Sequence, residues 1–158
     1  MNEQKTDPGV LLIGMGNREN GDNGPGWMFV DMINSLGYDF LDFEYREQMF
    51  VEDAKLISNY DIVIFVDASN QKFNDGFEMS RCFAASHGFY FSNAQAPPAM
   101  LYLAKKLYEK SPKAYLLNIS GEEFEEQPSL SNEALKNLQS AVEFFDEQFL
   151  PSILGVRV

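Results

Sequence analysis

Apolar residues recur along this chain with two different periods. Unbroken runs at Val10 to Gly14, Asp61-Ile-Val-Ile-Phe-Val-Asp67 and Ala114 to Ile119 suit strands covered on both faces, where no polar position has to look out at water. Tyr38 to Tyr45 alternates Leu41, Phe43 and Tyr45 against Asp42 and Glu44, which predicts a second strand after the first. Trp27, Val30, Ile33 and Leu36 recur at helical spacing behind Pro25 and Gly26, and Gly37 supplies the stop. A short helix is expected around Glu52 to Ser58. Pro97-Pro98 opens another, through Met100, Leu101, Leu103, Ala104, Leu107 and Tyr108, closed by Ser111-Pro112. Ser131 is placed to N-cap the last helix, whose apolar stripe is Leu135, Leu138, Val142, Phe145 and Phe149. Gly76 to Phe91 predicts one strand and a loop.

Strands alternating with helices predict an α/β fold, a mostly parallel sheet of about five strands between two helical layers. No repeat or linker divides the chain, so one domain is expected over residues 1–158, with a flexible start at 1–8. In such sheets ligands bind beyond the carboxyl ends of the strands. The glycine-rich loop after Ile13 and the carboxylate Asp67 both fall on that edge.

Composition narrows the function classes. With 45% hydrophobic and 14% aromatic residues, a chain of 158 residues can bury a core without disulfides or a structural metal. No apolar run reaches the roughly 18 residues of a membrane span, and Met1 to Pro8 lacks the pattern of a secretory leader, so the cytoplasm is the expected location. The single cysteine, Cys82, cannot form an intramolecular disulfide; in its apolar setting it reads as a small buried hydrophobe. The single histidine, His87, excludes a site built from several imidazoles. A net charge of −12 repels phosphate backbones and anionic lipid, which argues against nucleic acid and, with no apolar span, against membrane insertion. Its first reading is a solvated acidic surface that keeps the chain soluble, with a basic protein or a cation as the alternative partner.

The loop Gly14-Met-Gly16-Asn17-Arg18-Glu19-Asn20-Gly21-Asp22-Asn23-Gly24-Pro25-Gly26 follows a strand and opens a helix, the position of a dinucleotide fingerprint. Its residue types oppose that reading. The third glycine falls at Glu19, whose carboxylate would face pyrophosphate, and no Lys-Ser/Thr follows to make a P-loop. Asn17 is read as a loop-forming residue that bonds neighbouring backbone, alongside Gly14, Gly16, Gly21, Gly24 and Gly26.

Taken together, Gly14-x-Gly16-Asn17, Gly21-Asp22-Asn23-Gly24-x-Gly26, the strand end Val66-Asp67-Ala68, Phe91-Ser-Asn93 before a helix ending Leu107-Tyr108, and Ala114 to Phe124 followed by Ser129-Leu-Ser131 resemble the endopeptidases that mature nickel-iron hydrogenases. The resemblance runs from Val10 to about Leu150. It implies a three-layer sandwich of the phosphorylase/hydrolase-like kind. It further implies a protease that removes a C-terminal peptide from a hydrogenase large-subunit precursor, the nickel belonging to that substrate and no cofactor being held permanently.

The family's metal-contacting positions fall here on Asn23, Asp67 and Asn93. Asp67 keeps the residue type. The other two replace an acid and a histidine with a neutral carboxamide, a weaker ligand for a divalent cation. Asp22, Glu19 and His87 are the nearby residues with chemistry to substitute. Two readings follow: an active endopeptidase acting on the precursor, or a non-catalytic relative that binds a maturation partner without cutting it.

Overall fold

The first strand, β1 (Val10–Met15), is buried along its whole length, and the two faces it presents belong to different cores. Val10 and Leu12 join one apolar cluster, Leu11, Ile13 and Met15 the other. The computed structural model that shows this describes residues 9–16, 24–86, 96–121 and 130–154. Along the chain follow α1 (Pro25–Asn34), β2 (Leu41–Arg46), α2 (Asp53–Ile57), β3 (Ile62–Ser69), β4 (Phe77–Cys82), α3 (Pro97–Tyr108), β5 (Lys113–Ser120), α4 (Asn132–Phe144), a π-helical turn at Phe145–Phe149 and α5 (Leu150–Ile153).

The strands form one sheet in the order β2-β1-β3-β5-β4; all neighbours are parallel except β4, which runs against β5. α1 and α4 cover one face and α2 and α3 the other, the three layers expected of a chain whose central strands carry no polar face. Ile62, Ile64 and Val66 of β3 point toward α1 and α4, Val63 and Phe65 toward α2 and α3. The odd residues of β3 thus set the face on which Asp67 emerges. No helix among the described residues is long and apolar enough to cross a membrane.

Most element boundaries agree with the sequence pattern to within a few residues, and Ser131 does cap α4, its hydroxyl oxygen accepting the Ala134 N–H at 3.1 Å. The helical stripes need correction. Leu36 is 48% exposed, Leu107 51% and Leu135 40%. Spacings of three and four residues fit two adjacent stripes on one helix. In α4 the buried line is Ala134, Leu138 and Ala141, continued by Phe145 and Phe149 of the turn, so that two alanines face the sheet and α1 in place of Leu135. Small side chains there let α4 lie close to α1, while Phe29 and Phe145 fill the junction edge to face at 5.2 Å.

This assignment separates two substitutions that the sequence pattern would rank alike. Phe145→Ala should lower the unfolding free energy by about 3–5 kcal/mol, and Leu135→Ala should change it by no more than about 0.5 kcal/mol. Urea unfolding curves of the two variants measure this, and similar losses in both would contradict a buried line that runs through Ala134, Leu138 and Ala141.

Candidate functional site

At the carboxyl edge of the sheet, the end of β1 and the start of α1 meet with no space for a side chain between their backbones. A Cβ on Gly26 would lie 2.7 Å from the Val66 carbonyl oxygen and nearer still to that of Met15. A Cβ on Gly14 would meet Val30 Cγ2 at 2.8 Å and the Gly26 carbonyl carbon at 2.9 Å. Two glycines facing one another therefore let the first turn of α1 rest directly on the ends of β1 and β3. Gly16, at φ 118°, adopts a conformation that L side chains rarely take, and so turns the chain out of β1. Its N–H donates to the Arg46 carbonyl at 2.9 Å.

The same carbonyl accepts Trp27 Nε1–H at 3.1 Å, so the end of β2 holds both the exit of β1 and the start of α1. Trp27 packs edge-on against Tyr45 at 5.6 Å between centroids. The Arg46 side chain is itself fixed, its guanidinium reaching Glu44 at 2.8 Å and Asp53 at 3.2 Å. Asp53 in turn accepts the Phe50 N–H at 2.9 Å. Gly16 and Gly24, which bracket residues 17–23, are both secured to this frame; Gly24 O accepts the Met28 N–H at 3.0 Å.

Asp67 stands next to it, one residue beyond the Val66 carbonyl on which Gly26 rests. The side chain is half-buried on the face of α2 and α3. Among the described residues its only hydrogen bond is from the adjacent Ala68 N–H to Oδ1, at 2.8 Å. Burial pushes its carboxyl pKa up, against a smaller opposing effect of that N–H. Its neighbour across the sheet is Asn118 of β5, and because paired residues of parallel strands share a face, a carboxylate and a carboxamide lie side by side at this edge. The arrangement places a partly dehydrated carboxylate beside a neutral carboxamide oxygen, with Glu78 of β4 next in the same row, suited to a cation brought by something else.

Gly14, Gly16, Gly24, Gly26 and Asp67 are thus brought to one edge, as the sequence predicts. Asn17, Glu19, Gly21, Asp22, Asn23, His87 and Asn93 lie outside the described residues. On either side of residues 87–95 the chain is tied together by the Ala85 N–H, which donates to Pro98 O at 2.9 Å. Among the described residues, no group of three or more histidine, cysteine or acidic side chains is placed to hold a metal ion. Cys82 is buried, with its thiol pKa raised by that burial, which agrees with a structural role. Sequence reading missed Asn118 and the Arg46 to Asp53 pair. Both depend on which strands and helices are neighbours, and the only local signal was a polar residue interrupting the run Leu116-Leu117-Asn118-Ile119.

No family model and no curated protein matches the sequence. Solved structures do match. The [NiFe] hydrogenase maturation protease HycI from Thermococcus kodakarensis superposes with a TM-score of 0.70 at 15% identity, covering 96% of this chain and 95% of that one. The fold is that of the hydrogenase maturation proteases. A hydrogenase 2 maturation peptidase from a Thaumarchaeota archaeon gives 0.66 at 21% identity over 94% of this chain and 99% of that one. The hydrogenase maturating endopeptidase HybD from E. coli gives 0.64 at 19% over 90% and 93%. The fold expected from the sequence resemblance is therefore the fold observed, over almost the whole length of each neighbour.

Two outcomes follow from the geometry. Gly26→Ala forces backbone apart at two strand ends and should cost at least about 1–3 kcal/mol in urea unfolding; stability like that of the unmodified chain would contradict the packing described. Asp67 has a folded pKa raised above its unfolded value, so its carboxyl costs stability as pH rises from the ordinary carboxylate range through the raised value, and the cost persists above it. Asp67→Asn keeps an acceptor for the Ala68 N–H and removes the charge. Its melting temperature at neutral pH should be higher, by up to about 4 °C, with the difference fading below about pH 4. A lower melting temperature at neutral pH would show that the carboxylate is paired in the free protein.

Proposed function

We propose that this chain is a hydrogenase maturation endopeptidase that removes a C-terminal peptide from a nickel-containing large-subunit precursor in the cytoplasm, with Asp67 contacting the substrate's metal. The observation that carries this reading is a half-buried carboxylate, bonded among the described residues only to Ala68 N–H, at the sheet edge of a fold shared with such proteases over nine-tenths of the chain or more.

The nickel is cargo of the substrate. A dehydrated carboxylate gains much more from meeting a divalent cation than a solvated one does, since little water remains to be displaced from it. Asn118 adds a neutral oxygen beside it. If Asn23 and Asn93 complete the surface as the family positions suggest, they add neutral oxygen donors, not charge, beside the Asp67 carboxylate. Such a set binds free nickel weakly. It serves instead to recognise a metal that the precursor already holds, with protein–protein contact supplying the rest of the affinity.

Intact-mass spectrometry of a nickel-loaded large-subunit precursor, incubated with the chain, tests the proposal. The expected result is a mass loss equal to a C-terminal peptide, absent with the nickel-free precursor and slowed about 10²- to 10³-fold by Asp67→Asn, as for removal of one electrostatic contact near a reacting group. Undiminished cleavage by Asp67→Asn would remove the role given to that residue. A stable complex whose precursor keeps its full mass would replace the proposal with the non-catalytic reading that Asn23 and Asn93 motivate.

A further inference from the structure

β4 is an edge strand, paired among the described residues with β5 alone. The Ser120 N–H donates to Gly76 O at 2.9 Å, which makes that opposed pair a hydrogen-bonded one. The alternation of an antiparallel ladder then turns the backbone groups of Glu78, Ser80 and Cys82 toward β5, and those of Phe77, Met79 and Arg81 outward. Among the described residues the outward N–H and C=O groups have no partner. A strand edge that is unpaired in this way among the described residues is a template for another extended chain.

Beside the edge, between β4 and α4, lies an open groove of about 850 Å³. Phe77, Met79 and Phe144 form its apolar part. Asp75, Glu78, Glu143 and Glu147 give it charge, and among the described residues that line it Lys72 alone is cationic. Glu147 sits in the π-helical turn, which has a local cause. Pro151 has no N–H for the Glu147 carbonyl, and its ring crowds that oxygen. The chain widens by one residue there, with Leu150 N–H bonded to Phe145 O. π turns of this kind are frequent at functional sites.

We propose that β4 takes up an extended segment of a partner protein as an added strand, and that this segment carries basic side chains at alternate positions. Side chains of an added strand alternate between the two faces of the sheet, so every second one falls on the α4 side, opposite Glu143 and Glu147. A lysine or arginine there meets the carboxylates while its aliphatic stem covers Phe77 and Phe144. Backbone bonds to Phe77, Met79 and Arg81 fix the register and the acidic wall selects the sequence. The net charge of −12 favours the approach of such a partner. The test reads β4 itself and does not depend on cleavage or on Asp67.

The probe is a short peptide of alternating lysine and valine, with its glutamate counterpart as control, titrated into the full chain while backbone amides are followed by NMR. The expected result is that the lysine peptide shifts the amides of Phe77, Met79 and Arg81 and slows their hydrogen exchange, whereas the glutamate peptide does not. Met79→Pro removes an outward N–H and leaves the bonds to β5, so it should weaken binding at least about tenfold. Should that variant unfold by circular dichroism, the double variant Glu143→Lys, Glu147→Lys carries the test by abolishing the preference for lysine. Equal affinity for the two peptides, unchanged β4 amides, or protection of β4 by pairing with a second copy in the absence of peptide would each overturn the proposal.

Discussion

Between Gly26 and the carbonyl oxygens of Met15 and Val66 there is no room for a methyl group, and the geometry of the candidate site depends on that closeness. The contact brings the first turn of α1 onto the ends of two neighbouring strands. It needs glycine on both sides, since a Cβ on Gly14 would crowd the Gly26 backbone and Val30 from below. Once α1 sits there, Gly16 and Gly24, the described residues on either side of 17–23, are both held at this edge. Asp67 follows immediately after the carbonyl on which Gly26 rests, so a contact that is purely steric fixes where β3 ends relative to the first turn of α1.

The energetic character of the edge follows from the strands beneath it. β1 and β3 are apolar throughout because helices cover both faces, and this dryness extends to the point where β3 emerges. Asp67 is the first charged group at that exit. It remains partly dehydrated, and the Ala68 N–H offsets only part of the cost. A group held in this way favours a cation supplied from outside, which is what the proposed contact with a substrate metal requires. Arg46, by contrast, has its charge satisfied by Glu44 and Asp53 and contributes to the edge through its backbone carbonyl.

Much of this was legible in the sequence, for identifiable reasons. The buried strands declared themselves as unbroken apolar runs, and Asp67 as a carboxylate closing one of them. Gly14 and Gly26 were visible because close backbone approach has no other residue to use. Leu36, Leu107 and Leu135 were misplaced because helical spacing is compatible with two neighbouring stripes, and the choice between them rests on how near the next helix comes. Asn118 was not legible as a neighbour of Asp67, since a register between strands about 50 residues apart is a tertiary fact. The edge position of β4, unpaired among the described residues, and its acidic wall were hidden for the same reason: Phe77 and Glu143 meet only through the sheet order.

Titration of the Asp67 carboxyl in the free protein, followed by carbon NMR, tests most directly whether this carboxylate is held ready for an external cation. A midpoint above the ordinary carboxylate value is predicted, because burial outweighs the single N–H that stabilises the charge. A midpoint at that value would mean that the carboxylate is solvated, and one below it that a cationic side chain already pairs with Asp67; either would contradict a dehydrated carboxylate held ready for a metal carried by another protein.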